Sequence, residues 1–415
     1  MQLSAHEQAI LAGETGTKGA EMALNIVVQA ARMMGASRLV PITSAHIDGV
    51  LFHGPAGVEF VEELARRGAQ VQVPTTTNVG ALNLLKRGQS NLSGEDKKRA
   101  FRQMVAHEKM GCRPSWTCAP YQAGARPGLG QQIAWGESNA VAFANSVLGA
   151  RTNRYGDFLD IACAVSGRAP YGGLHLTENR RATLVFDVRG LPVAVTRDET
   201  FFPVLGTLIG QKAGNGVPAI TGLARGATED QLKALLAGAA ATGAVGLCHV
   251  VGTTPEAPDL ATATGRRSVP TLTVSLPMLR AARYALTASS GDHLDCIALG
   301  SPHFSEQECQ ALLQLSGNTP FKLPVYVCTG RHVTKALQAT DAYDRLGRLG
   351  VEFVVDTCVA VTPILPRTGG TMMTNSAKFA HYALGTTGHQ PVFGSLADCV
   401  ASAQSGYLRR EGGIW

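Results

Sequence analysis

Apolar residues recur at helical spacing from Ala20 to Met34, and Gly35 supplies a stop, so a helix is expected there. Arg38 to Ile42 then reads as a strand, Val58 to Arg67 as a second helix closed by Gly68, and Val71 to Val73 as the next strand. The alternation continues through the second half, where two helix starts carry capping boxes, Thr228 with Gln231 and Ser305 with Glu308. Uncharged or nearly uncharged runs at Val245 to Val251, Leu294 to Leu299, Pro324 to Cys328 and Glu352 to Cys358 suit strands covered on both faces.

This order predicts an α/β protein with mostly parallel sheets. In such sheets ligands bind beyond the carboxyl ends of the strands. The chain places His249, Ser301-Pro302-His303, Cys328-Thr329-Gly330 and Asp356-Thr357-Cys358 at those ends. Gly206, Gly210, Gly214, Gly216 and Pro218 crowd together, so a boundary is expected near residues 205–225. The expected division is an N-terminal α/β region over residues 1–210, a second α/β domain over 211–350, and a C-terminal segment over 351–415.

With 415 residues, 45% apolar and 16% charged, the chain can build several buried cores and is not a disordered tether. Its 37 basic and 31 acidic residues are dispersed in pairs such as Arg66-Arg67 and Arg409-Arg410, with no nucleic-acid arm. The start lacks the basic and apolar regions of a secretory signal, so a reducing, cytoplasmic setting without disulfides is expected for the nine cysteines. Ala234 to Pro255 is long and charge-free, but its Ala/Gly content and the break at Thr242-Gly243 predict a buried helix, a turn and a strand; no membrane span is expected.

No CxxC pair or ferredoxin-like run is present. Cys118, Cys358 and Cys399 have polar or helix-breaking neighbours, whereas Cys163, Cys248 and Cys296 sit in apolar runs and read as core residues. Between Gly136 and Arg180 the chain is dense in Asn, Arg, Tyr and Gly, which suits either a hydrogen-bonded brace or a carboxylate pocket. The glycine signals match no nucleotide fingerprint. Ser44 to Gly49 and Thr75 to Asn78 follow successive strands, and Lys378 lies in a helical segment.

Taken together, SAHIDG, TCAPYQ, GESNAVAFANSVLGARTNRYGDFLDI, the YGG turn, GSPHFS, VVDTC, TNSAKFAHY and ADCV resemble the large-subunit part of the aconitase X family over almost the whole chain. The resemblance implies an aconitase-like catalytic core of several α/β/α domains without the swivelling domain, which a small partner subunit would supply. It implies an iron-sulfur cluster, of 2Fe-2S or 4Fe-4S type, on Cys118, Cys358 and Cys399. It gives His46, Glu137 and Lys378 catalytic duties, and Thr77, Asn78, Ser138, Asn139 and Tyr171 contacts to substrate.

The implied reaction is loss of water from a small hydroxy-carboxylate, with the proton-abstracting base possibly on the partner subunit. Two substrates are associated with the family, cis-3-hydroxy-L-proline and phosphomevalonate. The Lys-poor, Ala/Gly/Arg-rich composition favours the first. An RNA-binding regulator lacks its basic and aromatic patches here, and a zinc hydrolase lacks a His-x-x-x-His pair.

Overall fold

In the computed structural model, residues 1–86, 88–223, 226–366 and 369–410 are described. The first expected helix forms over Lys18–Met33, capped by Thr17, whose hydroxyl accepts from the Ala20 amide. Its buried stripe, Ala23, Leu24, Val27, Val28 and Ala31, joins Ile161, Ala162, Cys163 and Val165 in one core. The chain divides into two compact units, Met1–Leu82 with Leu92–Arg181, and Asn83–Asn91 with Ala182–Trp415. None of the described helices is long and apolar enough to cross a membrane.

The first unit contains a parallel three-stranded sheet in the order Thr75–Thr77, Ala45–Ile47, Ala134–Trp135. An antiparallel pair, Leu39–Pro41 with Arg168–Pro170, lies beside it in sequence order. The strand expected at 71–73 does not form: the Val71 amide bonds the Met110 carbonyl and the Gln72 amide bonds the Ala164 carbonyl, so helix ends consume its donors. Pairing starts later, at Thr75.

In the second unit a five-stranded, all-parallel sheet runs Val351–Val354, Val325–Thr329, Cys296–Phe304, Thr371–Thr374, Gln390–Phe393. A four-stranded parallel sheet runs His249–Val250, Pro218–Thr221, Leu184–Asp187, Thr271–Thr273. Both capping boxes form, on the helices Glu229–Thr242 and Glu306–Ser316. The strand expected over 245–251 is only His249–Val250.

The chain divides after Arg181, and not near residue 210 as expected. Gly206 and Gly210 belong to the helix Phe201–Ala213, which packs on Glu229–Thr242. A Cβ at Gly206 would stand 2.1 Å from the Leu235 carbonyl oxygen, and one at Gly210 would stand 2.2 Å from the Thr242 hydroxyl. These glycines therefore allow two helix backbones to approach, and mark no linker. Residues 224–225 of that stretch, and 411–415 of the expected C-terminal segment, lie outside the described residues.

Candidate active site

In the first unit the strand Ala45–Ile47 delivers His46 and then Asp48 to its carboxyl end. His46 is fully buried; its Nδ1 lies 2.8 Å from the Thr76 hydroxyl, and its Nε2 has no protein partner. Burial pulls the imidazole down to about 4, against a smaller upward pull from Glu137, so the ring is neutral at pH 7. Asp48 is bonded by the Asn78 amide nitrogen. Burial, then the charges of Glu137, Asp157 and Asp160, push its carboxyl up to about 8.

Asp160 is fully buried and accepts from the amides of Asp48 (2.6 Å) and Gly49 (2.9 Å), locking the turn after His46. Burial is the main cause that raises this carboxyl to about 7. Neither aspartate was singled out in the sequence; the signal was present in SAHIDG and GDFLDI, whose carboxylates lie 112 positions apart and meet only through the fold.

Glu137 caps the helix Ser138–Phe143, taking the Ala140 amide at 2.6 Å, and the Ser138 hydroxyl donates to it at 3.3 Å. Asn139 donates to the Tyr121 hydroxyl at 2.9 Å and to the Cys118 carbonyl at 3.4 Å. With these donations made, the Asn78 and Asn139 side-chain oxygens are buried without a protein partner. His46, Asp48, Asn78 and Glu137 are thus linked through contacts or charge, and Asn139 adjoins Glu137 on the same helix.

Thr77 and Tyr171 have other occupations. The Thr77 hydroxyl accepts the amides of Ser115 (3.2 Å) and Trp116 (3.3 Å), and so holds the segment leading to Cys118. The Tyr171 ring lies under the Arg38 guanidinium, 3.9 Å from its centroid, beside the antiparallel pair. The Gly136–Arg180 segment also contains a brace: buried Arg180 donates to both Asn145 oxygens and to the carbonyls of Ala150 and Leu174, at 3.0–3.1 Å.

The second unit gathers another group at strand ends. Cys358, four residues past the strand Val351–Val354, takes the Ala360 amide on sulfur at 3.4 Å. The Cys328 thiol beside it, the Ala360 amide, the Lys378 charge and the Ser301 hydroxyl outweigh burial and hold the Cys358 thiol below its ordinary range. Lys378 begins the helix Ala377–Thr386. It lines a cavity of about 50 Å³ with Ser301, Ser376 and Lys233. Lys233 is buried on Asp230 (2.9 Å) and Glu308, and these acids offset desolvation and keep it charged.

Backbone conformation separates the expected cysteines. Trp116 and Asp356, each two residues before Cys118 and Cys358, hold φ values of 43° and 65°, which are costly for side-chain-bearing residues. Asp356 is fully buried, paired with Arg331 at 2.5 and 2.7 Å. Strain held in this way clusters at functional sites.

Cys399 differs. It lies inside the regular helix Leu396–Ser405, fully buried in an apolar cluster with Met373, Val392 and Val400. Burial, reinforced by Asp398 and Glu199, raises its thiol far above the ordinary range. Those surroundings suit a small core residue and oppose a thiolate ligand. Among the described residues, no three His, Cys, Asp or Glu side chains form a metal-holding group.

Family comparison places residues 1–178 with the Aconitase X first domain, 182–284 with the second domain and 294–405 with the third domain. A Pseudomonas aeruginosa protein named cis-3-hydroxy-L-proline dehydratase is 42% identical over 411 residues, 98% of this chain and 70% of that protein. The Thermococcus kodakarensis phosphomevalonate dehydratase large subunit is 36% identical over 92% of this chain and 95% of its own. The crystal structure of Thermococcus kodakaraensis aconitase X in its holo-form superposes with a TM-score of 0.86 at 34% identity, covering 97% of this chain and 100% of that one.

Proposed function

The chain belongs to the aconitase X family and is a hydro-lyase, and from that premise we propose that it is the large, catalytic subunit of a cis-3-hydroxy-L-proline dehydratase. The product would be an enamine that becomes 1-pyrroline-2-carboxylate. The observation that carries the choice of substrate is the acceptor-rich group around His46. Unpartnered oxygens on Asn78 and Asn139, with Glu137 nearby, suit the ring ammonium of an amino acid and oppose a phosphate. Identities of 42% and 40% to proteins named cis-3-hydroxy-L-proline dehydratase, against 36% or less to the phosphomevalonate enzymes, support the same choice.

Of the cysteines expected to hold an iron-sulfur cluster, Cys358 has donors around its sulfur that hold its thiol below the ordinary range, and Cys118 follows a strained turn in its own unit. Cys399 does not fit. When bound, such a cluster would supply a Lewis acid for the leaving hydroxyl. Lys378 would neutralise substrate carboxylate, with its cationic head beside Cys358. His46, neutral at pH 7, would hydrogen-bond through Nε2 without adding charge. Glu137 would hold the ammonium, and Asp160 fixes the turn that follows His46.

A small subunit carrying the swivelling domain is part of this proposal, because the relatives matched over 95% or more of their length are named large subunits. Phosphomevalonate is the competing substrate for the same reason. Turnover of both compounds by the chain co-expressed with its small subunit tests the choice. Dehydration of hydroxyproline is expected; dehydration of phosphomevalonate alone would overturn it.

A further inference from the structure

We propose that the first unit holds a second small-molecule site, one that takes an oxyanion, on the opposite side of the sheet edge from Asp48 and Asn78. A cavity of about 460 Å³ opens there, lined by Ser44, Thr75, Thr76, Arg113, Arg126 and Trp135 among others. Ser44 and Thr75 stand at the starts of the strands Ala45–Ile47 and Thr75–Thr77, whereas Asp48 and Asn78 follow their ends. Two guanidinium groups line the cavity and no carboxylate does. Arg113 has no acidic partner among the described residues. Arg126 is steadied by the Tyr121 carbonyl at 3.4 Å.

Two further polar groups are available. Trp135 is 1% exposed and its indole N–H has no protein acceptor; the buried Ser44 hydroxyl oxygen likewise has no protein partner. A buried donor left unpaired is costly, and an oxyanion answers it while pairing with the Arg113 guanidinium. This chemistry is the inverse of the acceptor-rich His46 group, so the two places select different ligands. They remain one layer of side chains apart: Thr76 bonds His46 Nδ1, and the Trp135 ring lies 5.6 Å from the His46 ring.

Calorimetric titration of the cluster-loaded full chain with its small subunit, using inorganic phosphate and, separately, malonate at fixed ionic strength, tests the site. Saturable binding of at least one is expected, and which one binds distinguishes a phosphoryl from a carboxylate ligand. Arg113→Ala combined with Arg126→Ala should weaken that binding about tenfold or more, and the paired Arg→Lys variant should recover part of it. Turnover without added anion should be unchanged in both variants, which also reports that they fold. Anion binding should also change the intrinsic fluorescence, and Trp135→Phe should weaken binding and remove the Trp135 part of that change. Absence of saturable binding by either anion, or equal affinity in wild type and the double alanine variant, overturns the proposal whatever the enzyme's substrate.

Discussion

Cys358 and Cys399 lie in the same unit and are both buried, yet the fold treats them as different kinds of residue. Cys358 follows a strand end, where an amide, a thiol, a hydroxyl and a lysine converge on its sulfur. Cys399 sits within a helix, and its sulfur meets methyl and methylene groups and two nearby carboxylates. Burial alone therefore does not mark a ligand; the donors aimed at the sulfur decide whether its anion is tolerated.

The largest expected consequence is in activity. Cys358→Ala should lower turnover more than about a hundredfold, beyond the usual loss of an outer-shell partner, whereas Cys399→Ala should leave kcat within about twofold. Steady-state rates of the two variants side by side break the comparison if both fall equally. Next, Asp356→Ala removes a buried carboxylate that binds Arg331 and the Leu84 amide and fixes the turn before Cys358. With Arg331 partly solvent-screened, a loss of about 2 kcal/mol in denaturant unfolding is expected, together with lowered turnover.

Cys399→Ala is expected to cost about 1 kcal/mol of stability as a small cavity in the core, with no functional loss. A midpoint shift accompanied by lost turnover would contradict its reading as packing.

A pH effect carries the contrast between satisfied and merely buried groups into the first unit. Asp160 is raised to about 7 from 3.8, so the folded state holds a proton that the unfolded chain has released between those values. Its contribution is complete below about 4 and is lost as pH rises through about 7. His46 has the opposite sign: lowered from 6.5 to about 4, it loses its contribution as pH falls through that interval. Unfolding measured from pH 4 to 8 should show a flatter decline on the alkaline side in Asp160→Asn than in wild type.

The legible parts of the chain are those set by local chemistry. Thr228 with Gln231 and Ser305 with Glu308 each close a capping box within four residues, and both helices start where expected. Cys328 and Cys358 lie at or just past strand ends as expected, whereas Ser301, expected to follow a strand, lies inside Cys296–Phe304; the parallel sheet brings the three together. What was not legible depends on partners far along the chain. Gly206 looked like a linker because Leu235, which it lies against, is on another helix. Asp48 and Asp160 are ordinary acids until a distant turn and helix bury them together. Cys399 has the polar neighbour Asp398, which suggested exposure, but Asp398 turns back to cap its own helix through Ser395 and leaves the sulfur facing the core.

In the proposed enzyme, iron would depend on the sulfur at the strand end and not on the one inside the helix. Iron content and visible absorption of anaerobically purified Cys358→Ala and Cys399→Ala, each co-expressed with the small subunit, test it most directly. The expected result is loss of iron and colour in Cys358→Ala, with wild-type iron in Cys399→Ala. Full iron in Cys358→Ala, or its loss from a folded Cys399→Ala, would contradict the claim.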